Sequence, residues 1–286
     1  MNAPAESSPL AGLCIAFIGG GNMARSLVGG LVQKGCRPGD LLVADPDPKQ
    51  LELLRQRFAV RVTADNREAA AAADVLVFAV KPQVFRATAS ALAEAVSRRR
   101  PLIVSIAAGI NEPDIRRWLG GSLAVVRAMP NTPALLGAGA AALFANAEVT
   151  PQQRATAQAM LEAVGLALWI EDESLMDAVT AVSASGPAYF FLLMEYMEAA
   201  ARELELPAEV ARRLVLQTAY GAARMALESE ADAATLRRQV TSPGGTTAAA
   251  LKVFETGEIG ALVLRALTAA RDRGRELSRE SAKETP

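Results

Sequence analysis

Short apolar runs alternate with longer stretches of helical period from residue 13 to about residue 170. This alternation is typical of βαβ units that build a mostly parallel, doubly wound sheet with helices on both faces. The pattern predicts strands at residues 13–18, 41–44, 75–80, 102–106 and 123–127, with shorter strands at 59–63, 138–144 and 167–170. It predicts helices at residues 22–34, 49–58, 83–96, 112–118 and 151–164. The first part of the chain is therefore predicted to be an α/β domain.

Runs of β-branched residues disappear after Glu173, and long segments rich in Ala, Leu, Glu and Arg with a period of 3.6 residues replace them. Helices are predicted at residues 174–184, 187–204, 207–228, 233–240, 246–255 and 259–277. The fold class is thus α/β followed by an all-α C-terminal domain. The predicted divisions are a flexible leader at residues 1–11, an α/β domain at 12–172, a helical domain at 173–278 and a polar tail at 279–286.

The length of 286 residues agrees with two domains, because a domain takes about 150 residues. Lys and Arg number 30 and Asp and Glu 31, so the basic excess that binds nucleic-acid phosphates is absent and no nucleic-acid partner is expected. Two cysteines are too few for a disulfide framework or a structural zinc site, and we expect no metal. The first residues do not form a signal peptide, and no stretch reaches about 18 apolar residues. We therefore expect a cytoplasmic protein with no membrane partner.

The chain contains no histidine. A Ser-His-Asp triad, a histidine-ligated zinc site and a histidine proton relay are all excluded, because each of them needs an imidazole. Any chemistry that this protein performs must use other groups.

A glycine motif follows the first predicted strand and opens the first predicted helix. Gly19, Gly21 and Ala24 fill the pattern G-x-G-x-x-A, and Asp45 ends the second strand 21 positions after Ala24. Such glycines allow a tight turn and a close approach of a pyrophosphate to backbone N–H groups. The alternative is an ordinary glycine turn in which Asp45 caps the strand end. The context favours a Rossmann dinucleotide-binding domain, with these residues around the cofactor: Gly19, Gly20, Gly21, Asn22, Met23, Ala24 and Asp45.

An aspartate at the end of the second strand normally accepts hydrogen bonds from the ribose 2′-OH and repels a 2′-phosphate. Asp45 therefore favours NADH, with NADPH as the open alternative. Further loops follow other strands at the edge where open α/β sheets bind ligands. An ordinary strand-to-helix turn is the alternative explanation for the first two of them. The candidate cofactor residues in these loops are Val80, Lys81 and Pro82, then Ala107, Ala108 and Gly109, and then Asn131.

A polar loop at residues 241–247 interrupts the helical half of the chain. Glycines and hydroxyls placed before a helix rich in Ala create a free helix N-terminus, whose N–H groups suit an anion such as a substrate carboxylate. In the alternative interpretation, Ser242 or Thr246 only caps the helix. The candidate substrate residues in this loop are Ser242, Gly244, Gly245, Thr246 and Thr247.

Six motifs occur in one order along the chain: FIGGGNMA at residues 17–24, AVKPQ at 79–83, SIAAG at 105–109, RAMPNTP at 127–133, AVSASGPAY at 181–189 and TSPGGTT at 241–247. Together they make residues 13–278 closely similar to the pyrroline-5-carboxylate reductase family. This resemblance implies NAD(P)H-dependent reduction of the cyclic imine 1-pyrroline-5-carboxylate to L-proline, the last step of proline biosynthesis. It also implies that the helical domain forms a homodimer, and that dimers can assemble into a homodecamer.

The resemblance assigns roles to individual residues. It implies that Ser242–Thr247 binds the carboxylate of the pyrroline and that Thr247 matches the family's active-site threonine. Glu173 matches a position that contacts substrate, and Asn66 matches one near the adenosine of the cofactor. Asp45 departs from relatives that carry Ser or Asn-Arg there and prefer NADPH, which leaves the cofactor preference open.

Three other functions are weighed against this one. A β-hydroxyacid dehydrogenase shares the architecture but resembles its own family through a catalytic lysine in the helical half. The only lysines beyond residue 170 are Lys252 and Lys283, neither of them in such a motif. The Tyr-x-x-x-Lys motif of short-chain dehydrogenases is also missing. A non-catalytic dinucleotide sensor would bind the cofactor and leave the 242–247 loop without a ligand.

Overall fold

The computed structural model describes residues 8–283, and across them a single eight-stranded sheet forms in the order β3-β2-β1-β4-β5-β6-β7-β8. All neighbouring strands are parallel except β6 and β7, which are antiparallel. The predicted doubly wound sheet is confirmed. The strands are β1 (Ile15–Ile18), β2 (Leu41–Ala44), β3 (Arg61–Thr63), β4 (Val75–Phe78), β5 (Leu102–Ser105), β6 (Val125–Met129), β7 (Gly139–Ala145) and β8 (Gly165–Trp169).

Helices cover both faces of this sheet. Several begin with a proline in the first turn, and α6 begins with a capping box in which Thr150 and Gln153 exchange side-chain and backbone hydrogen bonds. The sequence pattern missed α3, because its alanine-rich segment contains no large apolar residue from which a helical period could be recognised. The helices are α1 (Asn22–Gln33), α2 (Pro48–Phe58), α3 (Asn66–Ala72), α4 (Pro82–Arg99), α5 (Glu112–Leu119) and α6 (Pro151–Glu162), with short 3₁₀ helices at Pro38–Asp40 and Thr132–Leu136.

The core consists of two apolar layers, one on each face of the sheet. Alternate residues of β1 belong to different layers: Ile15 and Phe17 face one, whereas Ala16 and Ile18 face the other. This follows from the two-residue period of a strand. Because both faces are buried, the central strands are apolar throughout, and each fully buried large side chain contributes about 1.5–3 kcal/mol. Leu10 is also buried, so the ordered core includes a residue of the predicted leader; residues 1–7 of that leader lie outside the described residues.

The predicted helix at 174–184 is divided into a 3₁₀ turn (Glu173–Leu175), α7 (Met176–Val179) and a π-helical segment (Thr180–Ala184). The predicted end of the last helix at residue 277 is wrong, since the helix continues to Lys283 through the start of the predicted polar tail. Residues 284–286 of that tail lie outside the described residues. The remaining helices are α8 (Gly186–Glu203), α9 (Ala208–Glu228), α10 (Ala233–Gln239), α11 (Thr246–Thr256) and α12 (Ile259–Lys283).

The chain forms two compact units, and each is described by itself. The first unit contains the sheet, ends at Ser185 and resumes at Ala270, so it includes the C-terminal part of α12. The second unit spans Gly186–Ala269. The predicted boundary at residue 172 falls within the first unit, because the segment from Glu173 to Ser185 packs with the sheet.

The second unit exposes many large apolar side chains. Phe190, Phe191 and Tyr196 of α8 are each more than 60% exposed. Among the described residues, one helical stretch, Glu173–Glu203, is long and apolar enough to cross a membrane by length and composition, although the sequence predicted no such stretch. Core helices of soluble proteins, which are mostly buried, meet the same criterion, whereas 17% of the apolar window in this stretch is buried. The exposed side chains therefore form an apolar surface that a single chain leaves uncovered.

Candidate active site

The glycine turn after β1 leaves an open helix N-terminus. Gly19 has a φ of 101°, and a Cβ at this position would lie 2.7 Å from the carbonyl oxygen of Ala79, so only glycine fits here. Gly21 is the N-cap of α1, has no side chain to cap the helix, and faces open space. The first N–H groups of α1 therefore have no side-chain cap and can donate to an anion.

Asp45, directly after β2, stabilises the glycine turn through hydrogen bonds from backbone N–H groups. Its Oδ2 accepts a hydrogen bond of 2.7 Å from the Gly20 N–H, and its Oδ1 accepts one of 2.8 Å from the Asp47 N–H. The cap of the following helix is Asp47, whose side chain accepts from the Lys49 N–H. A carboxylate has about four acceptor sites, so Asp45 retains acceptor capacity for a ribose hydroxyl beside the glycine turn.

The neighbouring strand ends contribute further predicted cofactor residues. Asn66 is the first residue of α3 and directly follows Asp65, whose side chain caps the helix. Val80 and Lys81 lie in the turn after β4, which ends at Phe78 and not at the predicted residue 80. Pro82 then begins α4, and no side chain caps this helix. These residues follow the carboxyl ends of β3 and β4, the edge at which parallel sheets bind ligands.

The loop after β5 contains small residues and a left-handed glycine. Ala107 is buried and Ala108 is exposed, while Gly109 has a φ of 70°. A Cβ on Gly109 would lie 3.6 Å from the backbone nitrogen of Ser278, so this loop packs against the C-terminal part of α12. The Ser278 hydroxyl is buried and has no hydrogen-bond partner among the described residues. The sequence pattern predicts the end of this helix at residue 277, one residue before Ser278.

Asn131 connects the end of β6 to the segment that leaves the first unit. Its Oδ1 accepts a 2.9 Å hydrogen bond from the Ala140 N–H, and its Nδ2 donates to the carbonyl of Ser183 at 3.2 Å. The Ser183 hydroxyl in turn donates to the Ala140 carbonyl. Both ends of the Asn131 amide thus bind protein atoms, which holds the π-helical segment against β7.

Glu173 lies in a buried polar cluster. Its Oε1 accepts hydrogen bonds from Arg127 Nη1 at 2.7 Å and from the Glu112 N–H at 2.6 Å. The Arg127 side chain is 4% exposed and also donates to Asn111 Oδ1 at 3.2 Å. Arg127 begins the motif at residues 127–133, and the sequence pattern indicates no role for it. A charged residue at the end of an otherwise apolar predicted strand was the available signal, because a buried guanidinium needs a partner.

Asp177 lies close to the same cluster. Burial raises the pKa of this carboxyl, while the guanidinium groups of Arg127 and Arg275 lower it and Glu173 raises it further. A Cβ on Gly274 would lie 3.1 Å from Asp177 Oδ1, so the absence of a side chain at Gly274 lets α12 pack closely here.

The predicted substrate loop in the second unit also precedes an open helix N-terminus. Gly245 is the N-cap of α11, and no side chain makes a capping hydrogen bond there. The interpretation in which Ser242 or Thr246 only caps the helix is therefore wrong. Gly244 has a φ of 71°, and the Gly245 N–H donates to the carbonyl of Ser242 at 3.0 Å, which shapes the turn. Thr246 and Thr247 are exposed in the first turn, whose N–H groups can bind a carboxylate.

Comparisons with known proteins agree with both halves. A family described as pyrroline-5-carboxylate reductase dimerisation matches residues 173–277, and one described as NADP oxidoreductase, coenzyme F420-dependent, matches residues 14–109. A pyrroline-5-carboxylate reductase of Pseudomonas aeruginosa is 53% identical over 266 residues, which are 93% of this chain and 97% of that protein. The chain belongs to the pyrroline-5-carboxylate reductase family. The identification made from the sequence is confirmed.

Solved structures of pyrroline-5-carboxylate reductases agree. That of Coxiella burnetii superposes with a TM-score of 0.90 at 45% identity, and it covers 93% of this chain and 98% of its own. The Plasmodium falciparum enzyme, solved with NADP bound, has a TM-score of 0.83 at 28% identity and the same coverage of both chains. This pyrroline-5-carboxylate reductase family member is an NAD(P)-dependent oxidoreductase with a Rossmann domain followed by a helical dimerisation domain, as predicted.

Proposed function

We propose that this chain reduces the C=N bond of 1-pyrroline-5-carboxylate to give L-proline, the last step of proline biosynthesis. The observation that carries the proposal is the uncapped N-terminus of α11, which follows Gly244 and Gly245 in a helical unit matched to this family. A glycine-containing turn with free N–H groups suits a small carboxylate. The second open helix N-terminus, at Gly21, suits the pyrophosphate of NAD(P)H.

The proposed cofactor residues line the carboxyl edge of the sheet. NAD(P)H, when bound, supplies the hydride that reduces the imine carbon. The turn at residues 19–24 would hold the pyrophosphate, Asp45 the ribose and Asn66 the adenosine side, while the later strand-end loops would lie towards the nicotinamide. Asp45 supports a preference for NADH, since its carboxylate repels a 2′-phosphate. The residues of those later loops are Val80, Lys81 and Pro82, then Ala107, Ala108 and Gly109, and then Asn131.

The proposed substrate residues need no strong acid. A cyclic imine is basic enough to arrive protonated, so catalysis can depend mainly on orientation. The N–H groups of Thr246 and Thr247 bind the carboxylate, while Ser242, Gly244 and Gly245 shape the loop, in which the Gly245 N–H donates to the Ser242 carbonyl. The Thr247 hydroxyl binds the ring nitrogen. Glu173 contributes to the substrate side in this proposal. This arrangement accounts for catalysis by a chain without histidine.

The assay mixes the purified protein with 1-pyrroline-5-carboxylate and either NADH or NADPH, and follows the loss of absorbance of the reduced cofactor. Thr247→Ala should lower kcat/KM about 10- to 100-fold, because a hydrogen bond to a charged group contributes about 1.5–3 kcal/mol. Thr256→Ala, at the other end of α11, is the matched control and should leave kcat/KM unchanged.

Three results would contradict the proposal. A Thr247→Ala enzyme with wild-type kcat/KM would exclude the role given to that hydroxyl. Cofactor binding without turnover would indicate a dinucleotide sensor. Turnover with a hydroxyacid and oxidised cofactor, and none with the pyrroline, would indicate a β-hydroxyacid dehydrogenase.

We further propose a cytoplasmic homodimer, with a homodecamer of five dimers as the alternative, and no nucleic-acid or membrane partner. The uncovered apolar side chains of α8 support an interface with a second copy, since contiguous exposed apolar surface of this kind marks association. Residues 12–172 would bind the cofactor, and residues 173–278 would bind substrate and dimerise. Light scattering coupled to size-exclusion chromatography gives the number of chains directly, and a monomeric mass would refute this assembly.

A further inference from the structure

Arg127 is a buried cation in β6, an interior strand of the sheet. It lies in β6 between Val126 and Ala128, and its side chain is 4% exposed. A charge at this depth needs a partner with good geometry, and removing the partner from such a pair is costly. Arg127 Nη1 has two acceptors, Glu173 Oε1 at 2.7 Å and Asn111 Oδ1 at 3.2 Å.

The same oxygen of Glu173 caps α5 from a distant part of the chain. Asn111 occupies the N-cap position of α5, but its side chain makes no capping hydrogen bond and instead accepts from Arg127. The Glu112 N–H, in the first turn, donates to Glu173 Oε1 at 2.6 Å. A carboxylate at this end of a helix is stabilised by the free N–H groups and by the helix dipole. Arg127 orients that carboxylate.

The pair joins three segments that lead into the proposed cofactor site. Only two residues separate the Ser105–Gly109 loop from Glu112, the first residue of α5, so the position of Glu112 determines where this loop ends. Strand β6, which carries Arg127, continues into the turn that contains Asn131. The chain then returns through Glu173 to the segment that leaves the first unit at Ser185. A shift of the Glu173 carboxylate would therefore move the loop after β5 relative to the end of β6.

We infer that Arg127 is a positioning residue for hydride transfer. Arg127 orients Glu173, and Glu173 holds the start of α5. The Ala107–Gly109 loop, which leads into α5, is thereby kept in the geometry that the reaction needs. The inference rests on the proposed placement of the nicotinamide beside that loop. Hydride transfer is sensitive to displacement, and a misplacement of 1 Å can cost about 100-fold in rate.

The first test compares Arg127→Met with the wild-type chain. We expect kcat to fall about 10- to 100-fold, the primary isotope effect with 4-deuterated reduced cofactor to rise, and the Kd for NADH to change less than about threefold. The Tm should fall by about 10 °C, because the Glu173 carboxylate loses its buried partner. Arg37→Met is the control, since Arg37 pairs with Asp40 at 2.8 Å on the surface and is 74% exposed. That variant should keep wild-type kcat and Tm.

The double variant Arg127→Met/Glu173→Gln separates positioning from simple stability. Its neutral amide can still accept from the Glu112 N–H but no longer buries an unpaired charge, so Tm should recover towards wild type. Because Glu173 is also a proposed substrate residue, the reference for kcat is Glu173→Gln alone, and the kcat of the double variant should stay well below that of this single variant. Recovery of kcat together with Tm would overturn the inference, as would wild-type kcat and isotope effect in Arg127→Met. If Arg127→Met does not fold, Arg127→Lys keeps the charge and should give an intermediate kcat with a raised isotope effect. Wild-type values there would also overturn the inference.

One further variant tests the placement of the nicotinamide independently. Ala108 is exposed in the loop after β5, and Ala108→Phe should lower kcat or raise the KM for the reduced cofactor. Unchanged kinetics in Ala108→Phe would refute the proposed placement and the inference with it. Changed kinetics there together with wild-type kinetics in Arg127→Met would refute the inference alone.

Discussion

The cofactor preference can be tested at Asp45. This half-buried carboxylate accepts from the Gly20 N–H at 2.7 Å and from the Asp47 N–H at 2.8 Å, so it lies directly beside the glycine turn. The perturbation is Asp45→Ser, which removes the charge and leaves one hydroxyl. Asp45→Asn is the matched control, because it removes the charge but keeps the shape and one acceptor oxygen.

The charge determines how large the effect should be. Two unit charges about 4 Å apart repel by about 1 kcal/mol in water and by about 4 kcal/mol at an effective dielectric constant of 20. A half-buried carboxylate facing a 2′-phosphate falls between these limits, which corresponds to a discrimination against NADPH of about 10- to 100-fold. Both variants should therefore raise kcat/KM for NADPH at least about tenfold. Asp45→Ser should also lower kcat/KM for NADH about tenfold through the loss of an acceptor for the ribose hydroxyl.

The assay measures initial rates with each reduced cofactor at saturating 1-pyrroline-5-carboxylate. The Tm of each variant measures the effect of losing the hydrogen bond between the Gly20 N–H and the Asp45 carboxylate. Both variants should have a lower Tm than the wild type, since each keeps one acceptor oxygen for the two N–H groups, of Gly20 and Asp47, that the carboxylate binds. An unchanged ratio of the NADH and NADPH efficiencies in both variants would refute the electrostatic argument. A changed ratio in Asp45→Ser but not in Asp45→Asn would show that shape and not charge sets the preference.

Three predictions concern stability, each measured by thermal denaturation. Gly30→Ala would place a Cβ 2.6 Å from the backbone oxygen of Ala163. This variant should lower the free energy of unfolding by about 1–2 kcal/mol, although alanine has the better helix propensity. Gly29→Ala is the control and should be neutral, because its Cβ would meet only the side-chain ring of Phe58, which can move. Thr150→Ala should cost about 1 kcal/mol through loss of the capping box, whereas Thr150→Ser should not. Burial raises the pKa of the Asp177 carboxyl above its ordinary value of 3.8. The folded state therefore holds the carboxyl proton more tightly than the unfolded state does, and the free energy of unfolding falls as pH rises above about 4. Asp177→Asn should therefore raise Tm at pH 7 and lose this advantage below about pH 4, and a lower Tm at pH 7 would contradict the argument.

Local patterns were sufficient for much of the fold. The strand, glycine turn and helix around Gly19 and Gly21 were predictable, because the requirement for a left-handed φ and a free helix N-terminus concerns neighbouring residues only. For the turn before α11 the local pattern left two interpretations open, a free helix N-terminus and a cap by Ser242 or Thr246, and it was the structure that showed no side-chain cap there. Helix α3 escaped prediction, since an alanine-rich segment that packs on a sheet shows no contrast between its faces.

The sequence by itself determined the class of fold, the place of the glycine turn and the family, since each of these depends on residue types at short spacing. Only the tertiary structure decided which partners the polar side chains take. Glu173 caps a helix that begins at Glu112, and Arg127 orients it from a strand. Asn131, predicted for the cofactor, uses its amide on Ala140 and Ser183. Such pairings join segments far apart in the chain, and a buried charge or amide selects its partner only after the sheet and helices have brought the segments together.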